Sequence, residues 1–338
     1  MAEYPESAAI QEAVNAAQHI VIVQADNPDG DSVASALALE EILGDMGKQV
    51  SLYCGVDIPL HLRYMSGSAR ISKELPNNFD LSVIVDTNSD LLLEQLQKTG
   101  QKSWLAAKPA VVIDHHSSQP TISFAKTICN PKAVACCEVI YELAVQLKWP
   151  LNEKSKEYLA IGILSDSLGL TTESTSARSI HIIAELVDGG ISLAELENAR
   201  RETMRREPEL VHYKGELLSR VEFHYDGQVA SITIPNDEIV KYSPLYNPPM
   251  LVMDDMRLAR NVKLAIAYKL YDNGKVTAKI RANYGFGVAD KLAERFGGGG
   301  HPYAAGFKIT DGRQFEAIKA ESLAAANEYL EGLDDQTV

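Results

Sequence analysis

Three short apolar runs that each stop at acidic residues constrain most strongly how this chain can fold. They read HIVIV, LSVIVD and AVVIDHH, and they begin at His19, Leu81 and Ala110. Runs of this length are too short for a typical helix, and their Val and Ile content is typical of strands buried on both faces of a parallel sheet. Helical patterns lie between them, so the sequence predicts an α/β domain built on a parallel sheet.

The clearest helical pattern is DSVASALALEEILGDMGK, in which apolar residues recur at three- and four-residue spacing. Asp31 or Ser32 is predicted to cap the start of this helix, because short oxygen-bearing side chains accept hydrogen bonds from the free backbone N–H groups there. Gly47 is expected to end the helix in a left-handed conformation.

Acidic residues follow each run, with two histidines after the third, and the carboxyl ends of parallel strands share one edge of a sheet. A fourth run, YLAIGILSDSLGL, places Asp166 just after another apolar segment. We therefore predict that four strand ends bring Asp, Asp, His and Asp side chains to one edge. The residues concerned are Asp29, Asp31, Asp86, Asp114, His115, His116 and Asp166.

Carboxylates crowded in this way repel one another and need a counter-charge, which a divalent cation supplies. Carboxylates with one imidazole suit Mn²⁺ or Mg²⁺ better than a thiolate-preferring metal. Two such ions would activate a water molecule for displacement at phosphorus. The alternatives are structural, since Asp29-Gly30-Asp31 also fits a turn with a helix cap and Asp114-His115-His116 a hydrogen-bonded cluster.

The pattern changes after residue 190, where a densely charged helix and linker precede a region rich in hairpin signals. One hairpin is predicted to turn at Asp226-Gly227. A second is predicted to turn at Asn273-Gly274, the pair preferred in a two-residue type I′ loop. In the returning strand VTAKIRA, apolar and polar residues alternate between two faces. The last helix is predicted from about Gln314 to a frayed acidic tail, which gives a second domain with a mixed sheet.

A glycine run in this second domain, RFGGGGHPYAAGF, is the other candidate binding element. Gly297 to Gly300 lack β-carbons, so their backbone N–H groups can approach an anion closely, beside His301. Arg281 on the polar face of the hairpin strand would offer a planar fork to the same phosphate. A flexible linker and an exposed strand charge are the corresponding structural alternatives.

Charge and cysteine content limit the class of protein. The formal net charge is −14, which argues against coating long nucleic acid, because each neutralised phosphate needs a Lys or Arg. The four cysteines form no CxxC pair, so we expect reduced thiols in a cytoplasmic protein. The N-terminal residues lack an apolar signal region, and no apolar run is long enough to span a membrane.

The segments NPDGD, VIVDTNS, VVIDHHSS, GILSDSLGL and GGGGHPYAAGF resemble, in this order, the successive motifs of the DHH phosphoesterases. The C-terminal half resembles the DHH-associated domain of the nanoRNase/pAp-phosphatase group. The resemblance implies a parallel-sheet DHH domain at residues 1–190, a charged helical linker at 191–215 and a smaller mixed α/β substrate-binding domain at 216–338. It also implies an active site in the cleft between the two domains.

The resemblance further implies roles for individual residues. Four of them would surround one metal ion: Asp31, Asp86, His115 and Asp166. Asp86 would bridge to a second ion that Asp29 also holds. His116 would contact the scissile phosphate, and Asp114 would orient the imidazoles. The substrate's other phosphate or nucleotide would be held by Arg281, by the backbone of Gly298, Gly299 and Gly300, and by His301.

One position departs from the family pattern. The first motif usually begins with a His four residues before its first ligand Asp, and here that position is Ala25. The ion held by Asp29 therefore loses an imidazole. Either Asp26 replaces it, or the second ion is weak, bound mainly by water, or arrives with the substrate.

The function implied is a metal-dependent phosphodiesterase and phosphatase that hydrolyses short RNA or DNA oligonucleotides, dinucleotides such as pApA, or the nucleoside bisphosphate pAp. Mn²⁺ or Mg²⁺ would be the cofactor, as two ions, and the second is expected to be weak unless Asp26 replaces the missing imidazole. Two alternatives stay open: a nucleotide-binding or sensor protein with an impaired second metal site, and a RecJ-like single-strand exonuclease. No membrane partner is expected, and a homodimer is one oligomeric state that the sequence allows.

Overall fold

The computed structural model describes residues 3–334, and the chain divides into two compact units, Met1–Arg205 and Arg206–Val338. Each unit has its own sheet and its own apolar clusters, so each is described separately. The acidic tail predicted after the last helix lies outside the described residues. Among residues 3–334, no helix has both the length and the apolar character that crossing a membrane requires.

The first unit contains the predicted parallel sheet, which confirms the α/β prediction. Its strands are β1 (His19–Val23), β2 (Gln49–Tyr53), β3 (Leu81–Val85), β4 (Ala110–Ile113) and β5 (Thr127–Cys129). They pair in the order β2-β1-β3-β4-β5, and every pair is parallel. The chain moves outward from β1 in both directions, so a topological switch point lies between β1 and β3. In open sheets of this kind, ligands bind in the crevice beyond the carboxyl ends of the strands at the switch point.

Helices cover both faces of this sheet. They are α1 (Ser7–Ala16), α2 (Gly30–Asp45), α3 (Glu94–Lys98), α4 (Lys102–Ala106), α5 (Cys136–Leu147), α6 (Glu153–Asp166), α7 (Ala177–Asp188) and α8 (Leu193–Met204), with 3₁₀ turns at Leu60–Leu62, Ser68–Arg70 and Asp90–Leu93. Successive side chains of β1 alternate between two apolar clusters, Ile20 and Ile22 in one and Val21 and Val23 in the other. Burial on both faces explains why the strand sequences read as continuous apolar runs.

The predicted cap of α2 is wrong by two or three residues. The capping residue is Asp29, whose Oδ1 accepts a hydrogen bond from the backbone N–H of Ser32 at 3.0 Å. Asp29 has an extended backbone and Gly30 is already helical, so Asp31 lies inside the first turn and is buried. Gly47 has the predicted left-handed conformation, with φ of 79°. The early start leaves the carboxylate of Asp31 available for contacts with other elements.

The fourth apolar run is a helix, so the prediction of a fourth strand end is wrong. It belongs to α6, which begins after the Asn152 cap and ends at Asp166. Residues 158–163 are all buried, since α6 packs against both α2 and α5. A helix that is buried on all sides has the same unbroken apolar sequence as a buried strand, and periodicity does not distinguish the two.

The second unit contains the predicted mixed sheet. Its strands are β6 (Glu222–His224), β7 (Val229–Ile234), β8 (Leu264–Leu270), β9 (Val276–Ala282), β10 (Gly299–His301) and β11 (Ala304–Ile309), in the order β10-β11-β9-β8-β7-β6. Only β7 and β8 pair in parallel among these strands. Its helices are α9 (Pro208–Ser219), α10 (Asn236–Tyr242), α11 (Pro249–Leu258), α12 (Ala289–Arg295) and α13 (Phe315–Asp334). In β9, buried residues alternate with half-buried ones as predicted.

The β8–β9 hairpin forms at the predicted place but with a different turn. The Gly274 N–H donates to the Tyr271 carbonyl at 2.9 Å, so Asp272 and Asn273 are the central residues. Gly274 has φ of 78°, whereas Asn273 is not among the described residues with positive φ, which a type I′ turn would require. The arrangement is that of a three-residue loop, in which a type I turn is followed by a left-handed glycine.

Candidate metal centre

Asp86 follows the last residue of β3 and occupies the switch point of the parallel sheet. Its backbone N–H donates to the Ile113 carbonyl at 3.0 Å, and its φ of 56° is unusual for a residue with a side chain. A left-handed non-glycine residue is strained, and such strain persists where the surrounding structure fixes the conformation. The Asp86 side chain is 4% exposed.

His115 lies at the centre of the carboxylates. Its Nε2 is 3.4 Å from Asp86 Oδ1, 3.4 Å from Asp166 Oδ2 and 3.9 Å from Asp31 Oδ2. Its Nδ1 lies 3.3 Å from the Ala133 carbonyl, which can only accept a hydrogen bond. Nδ1 is therefore the donor to this carbonyl, and Nε2 is the ring nitrogen that faces the carboxylates. A backbone carbonyl that fixes the tautomer in this way is the usual support of a metal-binding histidine.

Two groups of side chains bring potential ligand atoms within 4.8 Å of one another. One group is Asp31, His115 and Asp166, and the other is Asp86, His115 and His116. His115 belongs to both. Five of the seven residues predicted from the carboxyl ends of the apolar runs thus come together, although Asp166 arrives from a helix end rather than a strand end.

The amino end of α5 holds Asp31 in place. The backbone N–H groups of Cys136 and Cys137 donate to the two carboxylate oxygens of Asp31 at 2.5 and 3.0 Å, and Ser35 Oγ lies 3.4 Å from Oδ1. Free N–H groups and the helix dipole both favour a negative charge at this end of a helix. Because backbone groups make these bonds, the thiols of Cys136 and Cys137 are not required for them.

The electrostatics of the centre favour a bound cation. Burial, with the charge of Asp31, raises the pKa of Asp86 well above its usual range, and burial also raises that of Asp31. Burial and the charge of Asp31 raise the pKa of Asp166 to about 6. Asp86 Oδ1 is buried without a hydrogen-bond partner. A divalent cation would supply that partner and offset the repulsion, and carboxylate and imidazole ligands fit Mn²⁺ or Mg²⁺.

His116 is oriented by Asp114. The Nδ1–H of His116 donates to Asp114 Oδ1 at 2.7 Å, and this bond with the carboxylate charge raises the pKa of His116. The imidazole is half exposed, and its Nε2 is left free to face solvent or substrate. Asn88 and Asn130 both donate to the His116 carbonyl, at 3.3 and 2.8 Å, which fixes the backbone of the motif. Asp114 therefore positions His116, while the Ala133 carbonyl positions His115.

Replacing Asp114 with alanine is expected to lower the pKa of His116, because both the hydrogen bond and the nearby negative charge that raise it are lost. Asp114→Asn keeps an acceptor oxygen and should give a smaller decrease. The measurement is an NMR titration of the histidine rings in metal-free protein, with exposed His212 as the internal control. An unchanged His116 titration in the alanine variant would contradict this positioning role.

Two acidic residues of the first motif do not join either ligand group. Asp29 caps α2, although its charge contributes to raising the pKa of Asp86 and Asp166. Asp26 accepts a hydrogen bond from the Gln95 backbone N–H at 2.7 Å, and its Oδ1 lies against Gly55. The conformation of Asp26 thus does not support the prediction that its carboxylate replaces the missing imidazole. Ala25, which stands at the position of that imidazole, is buried.

The candidate phosphate-binding residues of the second unit also lie together. Arg281 in β9 pairs with Ala304 in β11, and β11 pairs with β10, which contains Gly299, Gly300 and His301. A β-carbon on Gly298 would lie 2.2 Å from the Gly306 carbonyl oxygen, so this glycine is required by packing against β11. A β-carbon on Gly299 would meet nothing within 4 Å. The same is true of Gly297, so these two members of the run leave space beside the backbone for a ligand.

Sequence reasoning missed several residues that support the centre. Gly162 in α6 is one, since a β-carbon there would lie 2.6 Å from Asp31 Oδ1. Ala133 contributes only its carbonyl, and Asn88 bonds to the loop that follows His116. The position of Asn88 two residues after Asp86 was a usable signal, because polar residues just beyond a buried strand often fix the local turn. A backbone carbonyl leaves no signal in the sequence.

Two family models match the chain, one in each compact unit. The DHH family, N-terminal domain, matches residues 19–163, which include all members of both ligand groups except Asp166. The DHHA1 domain matches residues 251–331, which include Arg281 and the glycine run. The chain belongs to the DHH family. It is thus a DHH phosphoesterase, as the resemblance of its motifs implied.

Similar proteins span nearly the whole chain. The bifunctional oligoribonuclease and PAP phosphatase NrnA of Thermus thermophilus is 25% identical over 311 residues, which are 90% of this chain and 88% of that protein. The protein of the same name from Bacillus subtilis is 23% identical over 314 residues, 92% of this chain and 95% of that protein. This DHH chain therefore aligns with those proteins over almost its full length.

Solved structures confirm the fold. An exopolyphosphatase-related protein from Bacteroides fragilis superposes with a TM-score of 0.79 at 22% identity and covers 97% of both chains. An exonuclease RecJ bound to manganese gives a TM-score of 0.53 at 16% identity and covers 95% of this chain and 93% of that one. At these identities the DHH chain shares a fold with both proteins, and the RecJ-like alternative is supported by the fold alone.

Proposed function

We propose that this protein is a metal-dependent phosphodiesterase and phosphatase acting on short oligonucleotides, dinucleotides such as pApA and the nucleoside bisphosphate pAp. The observation that carries the proposal is the group of three carboxylates, two of them buried, around His115 Nε2, with distances of 3.4 to 3.9 Å. Relatives named oligoribonuclease and PAP phosphatase span nearly the whole chain and support this choice of substrates. The net charge of −14 agrees with a short substrate.

Asp31, Asp86, His115 and Asp166 would hold the first of two Mn²⁺ or Mg²⁺ ions, and Asp86 would be shared with a second. Such ions lower the pKa of a bound water and neutralise charge on a phosphoryl group. The protein's contribution is to fix the ligands, through the N–H groups of α5 on Asp31 and the Ala133 carbonyl on His115. His116, oriented by Asp114, would donate from Nε2 to the scissile phosphate.

We propose a weak second ion. Asp29 is directed to the cap of α2, Asp26 is bonded to Gln95, and Ala25 contributes no ligand atom. We also propose that residues 1–190 act as the metal-binding domain, 191–215 as a linker, and 216–338 as the substrate-binding domain. A cytoplasmic location is part of the proposal and is supported by the four free cysteines, which suit a reducing compartment.

The test is hydrolysis of pApA by the purified protein, followed by chromatography while Mn²⁺ is titrated from substoichiometric to millimolar concentration. Release of AMP is expected, with activity still rising beyond two equivalents because the second ion is weak. Saturation near two equivalents would contradict the weak second site. Binding of the nucleotide without release at any Mn²⁺ or Mg²⁺ concentration would overturn the hydrolase and favour the sensor. Cleavage of long single strands in preference to pApA would favour the RecJ-like activity.

A further inference from the structure

The second unit presents two tyrosine side chains to solvent beside the candidate phosphate-binding residues. Tyr284 is 84% exposed and Tyr303 is 43% exposed. Their rings lie within 11° of parallel, with centroids 6.3 Å apart. Most aromatic side chains of this unit contribute to its core, as Tyr268 and Phe307 do. Tyr284 therefore buries little of its side chain and Tyr303 leaves nearly half of its own exposed, so packing into the core does not account for their parallel arrangement.

Both rings stand on backbone that is firmly held. Asn283, which precedes Tyr284, donates from Nδ2 to the carbonyls of Arg257 and Val262 at 2.9 and 2.8 Å and accepts from Arg257 Nε at 3.0 Å. The Tyr303 carbonyl accepts from the Ala282 N–H at 3.1 Å. Anchored backbone limits the entropy that a ligand would have to remove on binding.

Glycine residues next to the rings provide space for them. A β-carbon on Gly287 would lie 3.3 Å from Cζ of Tyr303, so the ring packs directly over that glycine. Gly285, with φ of 85°, allows the tight turn that follows Tyr284. The local sequence NYGFG thus positions one ring and makes room for the other.

The two tyrosines closely follow or precede the strands that present the positively charged side chains. Arg281 is three residues before Tyr284, and its strand partner Ala304 directly follows Tyr303. A shallow pocket of about 540 Å³ on these strands is lined by Lys279, Arg281, Lys308 and by Gly297, Gly298 and Gly299 of the run. Cationic groups bind phosphate, whereas flat aromatic faces bind nucleobases by stacking. A nucleotide contains both groups in one molecule.

We infer that Tyr284 and Tyr303 form a stacking site for the nucleobase of the nucleotide whose phosphate is bound by Arg281 and the glycine run. The inference rests on the proposed function for the phosphate and adds the recognition of the base. Every base has a flat face, so stacking of this kind tolerates different sequences. The site would favour nucleotides over phosphate esters that lack a base.

The test compares two probes, AMP and ribose 5-phosphate, which share a phosphate and a sugar but differ in the base. Binding to the full-length protein is measured by calorimetry in EDTA, so that no metal-dependent hydrolysis contributes. Wild-type protein is expected to bind AMP about 5- to 150-fold more tightly than ribose 5-phosphate, the range that stacking on aromatic side chains gives. Tyr284→Ala and Tyr303→Ala should each reduce this ratio, while the affinity for ribose 5-phosphate stays unchanged.

Three variants serve as controls. Tyr284→Phe keeps the ring and should keep the ratio. Phe223→Ala removes another exposed aromatic side chain from β6, at the opposite edge of the same sheet, and should leave both affinities unchanged. Arg281→Ala should weaken the binding of both probes equally.

An AMP to ribose 5-phosphate affinity ratio equal to that of the wild type in both tyrosine-to-alanine variants would overturn the stacking site. An equal loss of affinity for both probes in these variants would also overturn it. Because the assay needs no turnover, failure of pApA hydrolysis would not be confused with failure of the stacking site.

Discussion

Asp86→Asn is expected to reduce hydrolysis of pApA by more than about 100-fold. Loss of a hydrogen bond to a metal ligand typically costs 10- to 100-fold, and loss of a shared ligand should cost more. Asp86 Oδ1 lies 3.4 Å from His115 Nε2 and 4.0 Å from His116 Nδ1, so it is close to both histidines of its ligand group. Asparagine keeps the shape of the side chain but removes the charge that a divalent cation needs.

Thermal unfolding separates this effect from misfolding. Mn²⁺ should raise the melting temperature of the wild type, because a ligand that binds only the folded state stabilises it. Asp86→Asn should abolish most of that rise. Without metal, the variant should melt at the same temperature as the wild type or higher, since it removes one of several mutually repelling buried carboxylates.

Asp57→Asn is the matched control. Asp57 is 73% exposed and pairs with Lys73 at 2.8 Å, and exposed ion pairs contribute little to stability. This variant should retain both hydrolysis and the Mn²⁺-induced rise in melting temperature. Hydrolysis by Asp86→Asn within tenfold of the wild type would contradict the placement of Asp86 in the metal centre.

Gly162→Ala is expected to lower the free energy of unfolding by about 1–3 kcal/mol and to weaken Mn²⁺ binding, because overpacking a tight interface has costs of this size. The added β-carbon would lie 2.2 Å from Cys137 Sγ and 2.6 Å from Asp31 Oδ1. Neither neighbour can move easily, since the backbone N–H of Cys137 donates to that same carboxylate at 3.0 Å. The substitution therefore forces α6 away from α2 and α5 or displaces Asp31.

Gly44→Ala provides the control on another helix of the same unit. Gly44 is exposed in α2, and a β-carbon there would meet nothing within 4 Å. This variant should be neutral or more stable by roughly 0.5–1 kcal/mol, because alanine loses less conformational freedom than glycine in a helix. The measurements are urea unfolding and Mn²⁺ titration by calorimetry. Equal free energies of unfolding for Gly162→Ala and Gly44→Ala would contradict the tight packing around Asp31.

Much of the centre could be predicted from sequence because the signal is local. Asp86 and the Asp114-His115-His116 segment each directly follow a short apolar strand, and parallel pairing alone brings such strand ends to one edge. The β6–β7 hairpin was equally local and forms at the predicted place, but the Gly227 N–H donates to the His224 carbonyl, so Tyr225 and Asp226 rather than Asp226 and Gly227 are the central residues. The family motifs extended this prediction to the order and the roles of the residues, and the roles remain proposals.

The errors arose where long-range packing decides the conformation. Asp166 ends a helix rather than a strand, because α6 is buried by α2 and α5, and only that packing explains its unbroken apolar sequence. Asp114 was expected to orient both imidazoles, yet a carbonyl at Ala133 orients His115. Backbone groups carry no identity in the sequence, so such a contact is visible only in three dimensions.

The sequence by itself thus determined the parallel sheet, the edge at which the acidic residues gather and the chemistry that those residues can support. It did so because strand burial and strand-end polarity are written in consecutive residues. The tertiary structure alone decided how the ligands are held. Asp31 is fixed by N–H groups of Cys136 and Cys137, which lie 105 and 106 residues further along the chain, and Gly162 leaves the space that Asp31 occupies. Contacts at such separations depend on how the helices pack, which no local pattern specifies.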